Sequence, residues 1–359
     1  MSTFVEGIYI AVYKVNDTAT RGAKPLQSQL LEFLICPSCR ANESLNLNKP
    51  ILKGDEIIKG TLICSQCTKE YVIEAGIPRF IISEQDYCKN FGFQWERWKT
   101  LQIDRLSGHN ISEERFLSDS RWPPNWFKDK LILDAGCGAG RFTDIAAKLG
   151  AKIIAVDISS AIDACKDTTD IHMNTSGNTV HCMQASLFDL PLRDGIFDGI
   201  YCMGVIQHTP DPVKLMGDLP RFLKTGGRIV YNFYEEGIWR RLQVIKYALR
   251  IITRRLPIPS ILMLSRILVY LLFPLTRRLA SIPKVNILNH IIPIAANHHP
   301  QLTIEQQRDW TLLDTFDWYG AKYEKRQKHK NVGAILADVG LTKIYTQPGL
   351  AWAEKQKEY

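Results

Sequence analysis

The run LILDAGCGAGRF, from Leu131 to Phe142, restricts the possible folds of this chain more than any other feature. Its apolar start reads as a buried strand, its middle as a loop carrying Gly136, Gly138 and Gly140, and its end as the start of a helix. Phe142, Ile145, Ala146 and Leu149 stand at i, i+3, i+4 and i+7, so the helix turns one apolar stripe toward a sheet. AKIIAVDIS then reads as a second buried strand ending at Asp157. A carboxylate at the carboxyl edge of a parallel sheet can grip a ribose diol. Strand, glycine loop, helix and strand in this order form the adenosine-binding half of a doubly wound α/β fold.

A dinucleotide-binding protein would begin the same way, and the glycine spacing separates the two. The dinucleotide fingerprint wants a glycine or alanine where Arg141 stands, so that the helix packs closely and receives a pyrophosphate. The large, charged Arg141 excludes it. Further on, NTVHCMQASLFDLPLRDGIFDGIYCMGVIQHTPDP reads as strand, loop, strand and turn. The helix after Pro212 carries Leu215, Met216, Leu219, Phe222 and Leu223 at helical spacing, and TGG is expected to stop it before the strand RIVYNFY. A last helix with Val332, Ile335, Leu336 and Val339, capped by Gly340, precedes strand-like TKIYTQ and LAWAE.

GxGxG after an aspartate-containing strand resembles the first motif of class I S-adenosylmethionine-dependent methyltransferases. The later segments resemble those of the ubiquinone and menaquinone methyltransferase superfamily. The resemblance spans residues 129–235 and 328–356. It implies a doubly wound, Rossmann-like sheet closed by an antiparallel edge hairpin, with S-adenosylmethionine as cofactor. By the same resemblance Gly136, Gly138 and Gly140 let the backbone approach the methionyl part, Asp134 supports that loop, and Asp157 takes the ribose hydroxyls. Ser186 occupies the place where an aspartate commonly meets the adenine; its hydroxyl and the amide of Leu187 are the expected substitutes. Asp189, beside Leu190 and Pro191, reads as a turn residue. His208 in GVIQHTPDP faces the acceptor side, with an imidazole suited to removing a proton near neutral pH; the bland reading is that it shapes the turn.

Four of the nine cysteines form two tight knuckles, Cys36 and Cys39 in CPSC and Cys64 and Cys67 in CSQC. Two such pairs converge on one tetrahedral zinc ion, and four sulfurs close its shell, leaving no catalytic position. A redox CxxC usually occurs once beside a βαβ unit, and the segment between these pairs is too short for one. The ribbon is too small to fold by hydrophobic burial, so Zn2+ is expected to be structural. LICPSC and CSQCTKEYVIEAGIPRF resemble the small zinc domain of activator subunits of tRNA and protein methyltransferases, over residues 30–82.

The expected organisation is an N-terminal segment 1–84 containing the ribbon, an aromatic helical lid 85–128, a methyltransferase core 129–235 and 328–359, and a helical cap inserted at 236–327. In the lid, Phe91, Phe93, Trp95 and Trp98 offer cation–π contact and water exclusion, or simply pack on the sheet. In the cap, Ile238, Leu242, Ile245, Leu249 and Ile252 form an apolar stripe opposite Arg240, Arg241, Lys246, Arg250 and Arg254, a pattern for a membrane surface or a phosphate clamp. LPIPSILMLSRILVYLLFPL follows, its apolar run interrupted by Arg266 and prolines, which favours a folded cap over a spanning helix. Asp314, Asp317, Tyr319 and Tyr323 in LLDTFDWYGAKYE either reach the acceptor or form an aromatic hinge.

The first residues lack a basic start, apolar run and small-residue cleavage site, and the single cysteines fit no disulfide framework, so a reducing, cytoplasmic setting is expected. A net charge of +8 is compatible with phosphate, nucleic-acid or anionic-lipid partners and selects none of them. The leading expectation is methyl transfer to a small-molecule hydroxyl of a sugar, lipid-linked or natural-product acceptor, and a lipid-linked acceptor implies peripheral contact at the inner membrane face. An RNA methyltransferase that uses the ribbon for RNA contact is the alternative, although no NPPY-like tetrapeptide occurs at CMGVIQH. A non-catalytic activator or scaffold is the third expectation.

Overall fold

The computed structural model describes residues 28–53, 56–81, 88–172, 180–237, 242–282 and 284–356. The near-continuous apolar runs that open at Leu131 and Lys152 become β5 (Leu131–Ala135) and β6 (Lys152–Asp157), buried on both faces as central parallel strands require. β7 (Val180–Gln184), β8 (Phe197–Met203) and β9 (Leu223–Asn232) extend the parallel array to either side. β10 (Leu341–Gln347) and β11 (Leu350–Lys355) form the antiparallel edge hairpin. This is the class I methyltransferase sheet, with the order β7-β6-β5-β8-β9-β11-β10.

The first four strands do not form a free-standing module. β1 (Leu45–Lys53), β2 (Glu56–Cys64), β3 (Glu70–Glu74) and β4 (Ile77–Arg79) form an antiparallel meander, and β4 pairs in parallel with β7. One eleven-stranded sheet results. Arg79 fastens the joint by donating to Gln184 Oε1 at 2.8 Å and to Asp163 Oδ1 at 2.6 Å. Leu30, Leu34, Leu62 and Ile73 of the ribbon share a core with Leu190, Leu192, Met183 and Val156.

The core helices follow the sequence pattern. In Arg141–Lys148 the residues Phe142, Ile145 and Ala146 are buried, and in His329–Asp338 so are Val332 and Leu336. One local expectation fails. The helix from Pro212 ends at Asp218, a short 3-10 turn carries Leu219 and Phe222, and Thr225–Gly227 lie inside β9. The register between β8 and β9 shifts there, so these glycines sit at a bulge.

The insertion leaves and returns at one place. Glu235 bridges to Gln327, and the amide of Glu236 donates to the Gln327 carbonyl at 2.8 Å. Between these ends lie helices Val244–Thr253, Ile258–Ala280 and Ile304–Gly320. Thr303 opens the last with a capping box, its hydroxyl accepting from the Gln306 amide. The apolar segment after Arg255 forms a single 23-residue helix with Pro274 inside it. It is long and apolar enough to cross a membrane by length and composition.

The helix read as basic on its free side is inverted. Lys246 and Arg250 are buried, whereas Ile245 and Ile252 are exposed; Ile238, Arg240 and Arg241 lie outside the described residues. The reason is Glu324. Its carboxylate lies 2.9 Å from Lys246 Nζ, 2.9 Å from Arg326 Nη2 and 3.8 Å from Arg250 Nε, and it accepts from the Tyr247 hydroxyl at 2.5 Å. Arg250 also donates to the carbonyls of Trp318 and Ala321. A buried carboxylate thus draws the cations inward and turns the apolar stripe out, so Lys246 and Arg250 cannot reach a phosphate or lipid surface.

Candidate functional site

The carboxyl ends of β5, β6, β8 and β9 open into a cavity of about 510 Å³, roofed by the lid helix Lys89–Arg97 and the cap. Gly136 and Gly138 line its floor with φ of +90° and +54°. A Cβ on Gly136 would lie 2.4 Å from Val205 Cγ2, and one on Gly138 would meet the Trp95 indole at 3.0 Å. Only glycine lets the loop pass between β8 and the lid. Gly140 lies behind the cavity wall and leads into the helix Arg141–Lys148.

Asp134 stands under this loop and does not line the cavity. It accepts from Thr143 Oγ1 at 2.6 Å and from the Tyr201 hydroxyl at 2.9 Å, tying the first strand to the following helix and to β8. Burial pushes its carboxyl up to about 7, with those two hydrogen bonds pulling the other way. Asp157 lines the cavity. Its Oδ2 accepts from the Gly138 amide at 3.0 Å and its Oδ1 from the Ser159 amide and hydroxyl at 2.9 and 2.7 Å. Burial moves it upward too, against those hydrogen bonds. An ionised carboxylate has about four lone-pair sites, so this one keeps room for a ribose hydroxyl.

Ile158, Leu187 and Phe188 form the apolar wall beside Asp157. Ser186 does not line the cavity; its hydroxyl accepts from the Phe188 amide at 3.2 Å and shapes the loop. Asp189 is exposed, its amide closing a turn onto the Ser186 carbonyl. The zinc ribbon braces this loop from behind. The Ile35 amide donates to the Pro191 carbonyl at 3.0 Å, the Arg193 amide to the Phe33 carbonyl at 3.0 Å, and Arg40 Nη1 to the Leu190 carbonyl at 2.7 Å.

On the opposite side His208 lines the cavity, packed between the rings of Phe91 and Tyr234 at 5.1 and 5.6 Å. Its Nδ1 lies 3.1 Å from the Tyr323 carbonyl. A carbonyl only accepts, so Nδ1 carries the proton and Nε2 keeps a lone pair when the ring is neutral. Nε2 stands 3.7 Å from Asp317 Oδ2. Asp314, one turn earlier, is pushed up to about 7 by burial and by Asp317, while Arg141 and Arg115 pull it down. Two buried acceptors, Asp317 Oδ1 and Gln207 Oε1, have no hydrogen-bond partner among the described residues.

Of the four lid aromatics, Phe91 and Trp95 line the cavity, while Phe93 and Trp98 pack on Phe316 of the cap. Asp314 and Asp317 reach the cavity; Tyr319 is buried, its hydroxyl donating to the Pro293 carbonyl, and Tyr323 contributes its carbonyl. Sequence reasoning missed Tyr234, Gln207 and Arg115. Tyr234 stands two residues past the end of β9, and a polar residue just past a parallel strand was the signal for it.

The sulfurs of Cys36, Cys39, Cys64 and Cys67 lie within 4.8 Å of one another, with Cys36–Cys67 at 3.5 Å and Cys39–Cys64 at 3.6 Å. These separations match the edge of a tetrahedron with metal–sulfur bonds of about 2.3 Å. Burial raises the Cys64 thiol, yet hydrogen bonds from Ser44 and from the amides of Cys67 and Gln66 outweigh it and hold it at about 6. Donors aimed at a sulfur favour the thiolate that zinc requires.

Comparison with known proteins agrees with this geometry. A family profile described as "Methyltransferase domain" matches residues 133–231. The core is a class I S-adenosylmethionine-dependent methyltransferase domain. A second profile, "Trm112p-like protein", matches residues 27–76 and coincides with the structural zinc ribbon. Ubiquinone biosynthesis O-methyltransferase of Methylococcus capsulatus is 32% identical over 126 residues, 34% of this chain and 52% of that protein. The Nitrosomonas europaea protein of the same name is 28% identical over 130 residues, 35% and 54%. The chain therefore spans about half the length of the curated relatives it matches. Among solved structures, magnesium protoporphyrin IX methyltransferase from Synechocystis PCC 6803 with bound SAH aligns over 76% of this chain and 97% of that one, at 16% identity and a TM-score of 0.42.

The cavity fits the domain's cofactor. The glycine floor admits a close-lying chain, Asp157 keeps acceptor capacity that a ribose hydroxyl would meet, and Leu187 and Phe188 provide an apolar wall that a base would lie against.

Proposed function

We propose that the chain transfers a methyl group from S-adenosylmethionine to the hydroxyl of a small-molecule acceptor, of the sugar, lipid-linked or natural-product kind. The observation carrying this reading is that one cavity holds the Gly136–Gly138 floor and Asp157 on one side and His208 on the other. The relatives named O-methyltransferases support the choice of oxygen. When bound, the cofactor supplies an electrophilic methyl on a sulfonium, and the protein's work is alignment and exclusion of water.

Gly136, Gly138, Asp157 and Leu187 hold and orient the cofactor; Asp134 and Ser186 act through the loops they shape. Phe91 and Trp95 close the roof and keep water out. The Tyr323 carbonyl fixes the tautomer of His208, so Nε2 is the atom that accepts the acceptor's proton. Asp317 then faces the imidazolium and stabilises it. The unsatisfied oxygens of Asp317 and Gln207 are ready to accept from acceptor hydroxyls, which positions a polyhydroxylated or otherwise hydroxyl-bearing molecule.

The test is incubation of the full chain with methyl-labelled cofactor and fractionated host extract. Label in a small-molecule or lipid fraction, reduced about 10²–10⁴-fold by His208→Ala with unchanged cofactor affinity, is the expected result. Label in RNA moves the assignment to the RNA reading. A chain that binds no cofactor is a scaffold. A reducing, cytoplasmic setting is part of the same proposal.

A further inference from the structure

We propose that the cap docks on an anionic lipid bilayer, with helices Val244–Thr253 and Ile258–Ala280 lying in the plane of the interface. Helix Val244–Thr253 exposes Val244, Ile245, Ile251 and Ile252, the last two at 60% and 61%. Helix Ile258–Ala280 exposes Met263, Ile267, Tyr270, Leu271 and Leu275, with Tyr270 at 78% and Leu271 at 62%. Both sets recur at helical spacing, so each is a continuous stripe. Stripes of this size on a water-facing surface mark a binding site.

Charge identifies the occupant. No aspartate or glutamate occurs between Glu236 and Glu305, whereas Arg254, Arg255, Arg266, Arg277, Arg278 and Lys284 are all exposed there. A polar protein partner would be met by mixed charge. Apolar stripes on a segment whose only charges are cationic complement acyl chains beneath anionic headgroups. Six exposed cations among the described residues, and no carboxylate, thus accompany the stripes along residues 237–304.

The helices lie on the surface and do not span it. The opposite stripe of the long helix, Ile261, Ser265, Val269 and Phe273, is buried in the cap, together with Leu313 and Phe316 of helix Ile304–Gly320 and with Ile294. Crossing a bilayer would strip these contacts and carry Arg266 through hydrocarbon. The same cap segment joins the two surfaces. Ile287, Leu288 and Ile291 are exposed, while Asn289, Ile294 and Ala295 line the cavity.

The full chain is floated with phosphatidylcholine vesicles, with and without about one-third phosphatidylglycerol, and titrated separately with S-adenosylhomocysteine. Wild type is expected to float with the anionic vesicles. Tyr270→Glu/Leu271→Glu and Arg277→Glu/Arg278→Glu should each lower vesicle affinity at least about tenfold, leaving cofactor affinity within about twofold. No flotation of wild type, equal flotation with neutral vesicles, or full flotation of the stripe variant overturns the proposal. A self-association that Tyr270→Glu/Leu271→Glu abolishes, without flotation, assigns the face to a second copy and also overturns it. Resistance to alkaline carbonate extraction overturns the in-plane geometry. Flotation without cofactor binding leaves the docking standing and removes the methyltransferase proposal.

Discussion

Replacing Glu324 by Gln tests how the cap is held in place. The variant keeps the shape and removes the charge that neutralises Lys246, Arg250 and Arg326. Breaking a buried pair by removing one partner costs about 3–5 kcal/mol. A second route gives a similar ceiling. Burial already brings Lys246 down to about 8 despite Glu324, so without the carboxylate it is expected to deprotonate. Neutralising an ammonium with an ordinary value near 10.5 costs about 5 kcal/mol at pH 7, at about 1.4 kcal/mol per unit. The acid limb carries the sign. Burial pushes Glu324 up, but Lys246 and the Tyr247 hydroxyl bring it net down from 4.5 to about 2. Its contribution of about 3 kcal/mol is therefore present above pH 4.5 and lost as pH falls toward 2. Urea unfolding followed by tryptophan fluorescence should show Glu324→Gln less stable by about 3–5 kcal/mol at pH 7, with the gap closing in acid. A loss below about 1 kcal/mol, or a gap independent of pH, would show that Glu324 does not anchor the cap. Because Tyr323 holds His208, the proposed base, methyl transfer should fall as well.

Three further outcomes follow from the geometry. Chelating zinc, or Cys39→Ser, should lower the unfolding midpoint and weaken S-adenosylhomocysteine binding measured by calorimetry, because the ribbon braces residues 190–193 behind Leu187 and Phe188; unchanged affinity in a metal-free, folded chain would sink this. Gly136→Ala, with φ at +90° and a Cβ 2.4 Å from Val205, should cost about 2 kcal/mol or more in stability and abolish cofactor binding, checked by unfolding and calorimetry. Asp314, held near 7 against an ordinary 3.8, binds its proton more tightly in the folded chain, so stability should decline as pH rises from about 4 to about 7. Asp314→Asn should flatten that slope in unfolding measured across the range.

The core was legible because its signals are local. The apolar strand at Leu131, the glycine loop and Asp157 each sit within a few residues of the atoms they position. The cysteine pairs were legible for the same reason. What the sequence concealed depends on distant partners. Nothing near Lys246 announces that Glu324 buries it, so helical spacing alone assigned the basic face to the outside. The joining of β4 to β7 is likewise invisible, since a short edge strand carries no mark of its neighbour. Ser186 occupied a family position, yet its hydroxyl turned to the loop's own amide, a choice fixed by local backbone geometry. Asp317 gained its meaning only when the cap folded against His208.

The most direct measurement is calorimetric titration of the full chain with S-adenosylhomocysteine, repeated with Asp157→Ala. Saturable binding at one site per chain, weakened by about 10–100-fold in the variant through loss of the carboxylate proposed to hold the ribose, is the predicted result. No heat with the wild-type chain, or equal affinity in the variant, would contradict the assignment of this cavity.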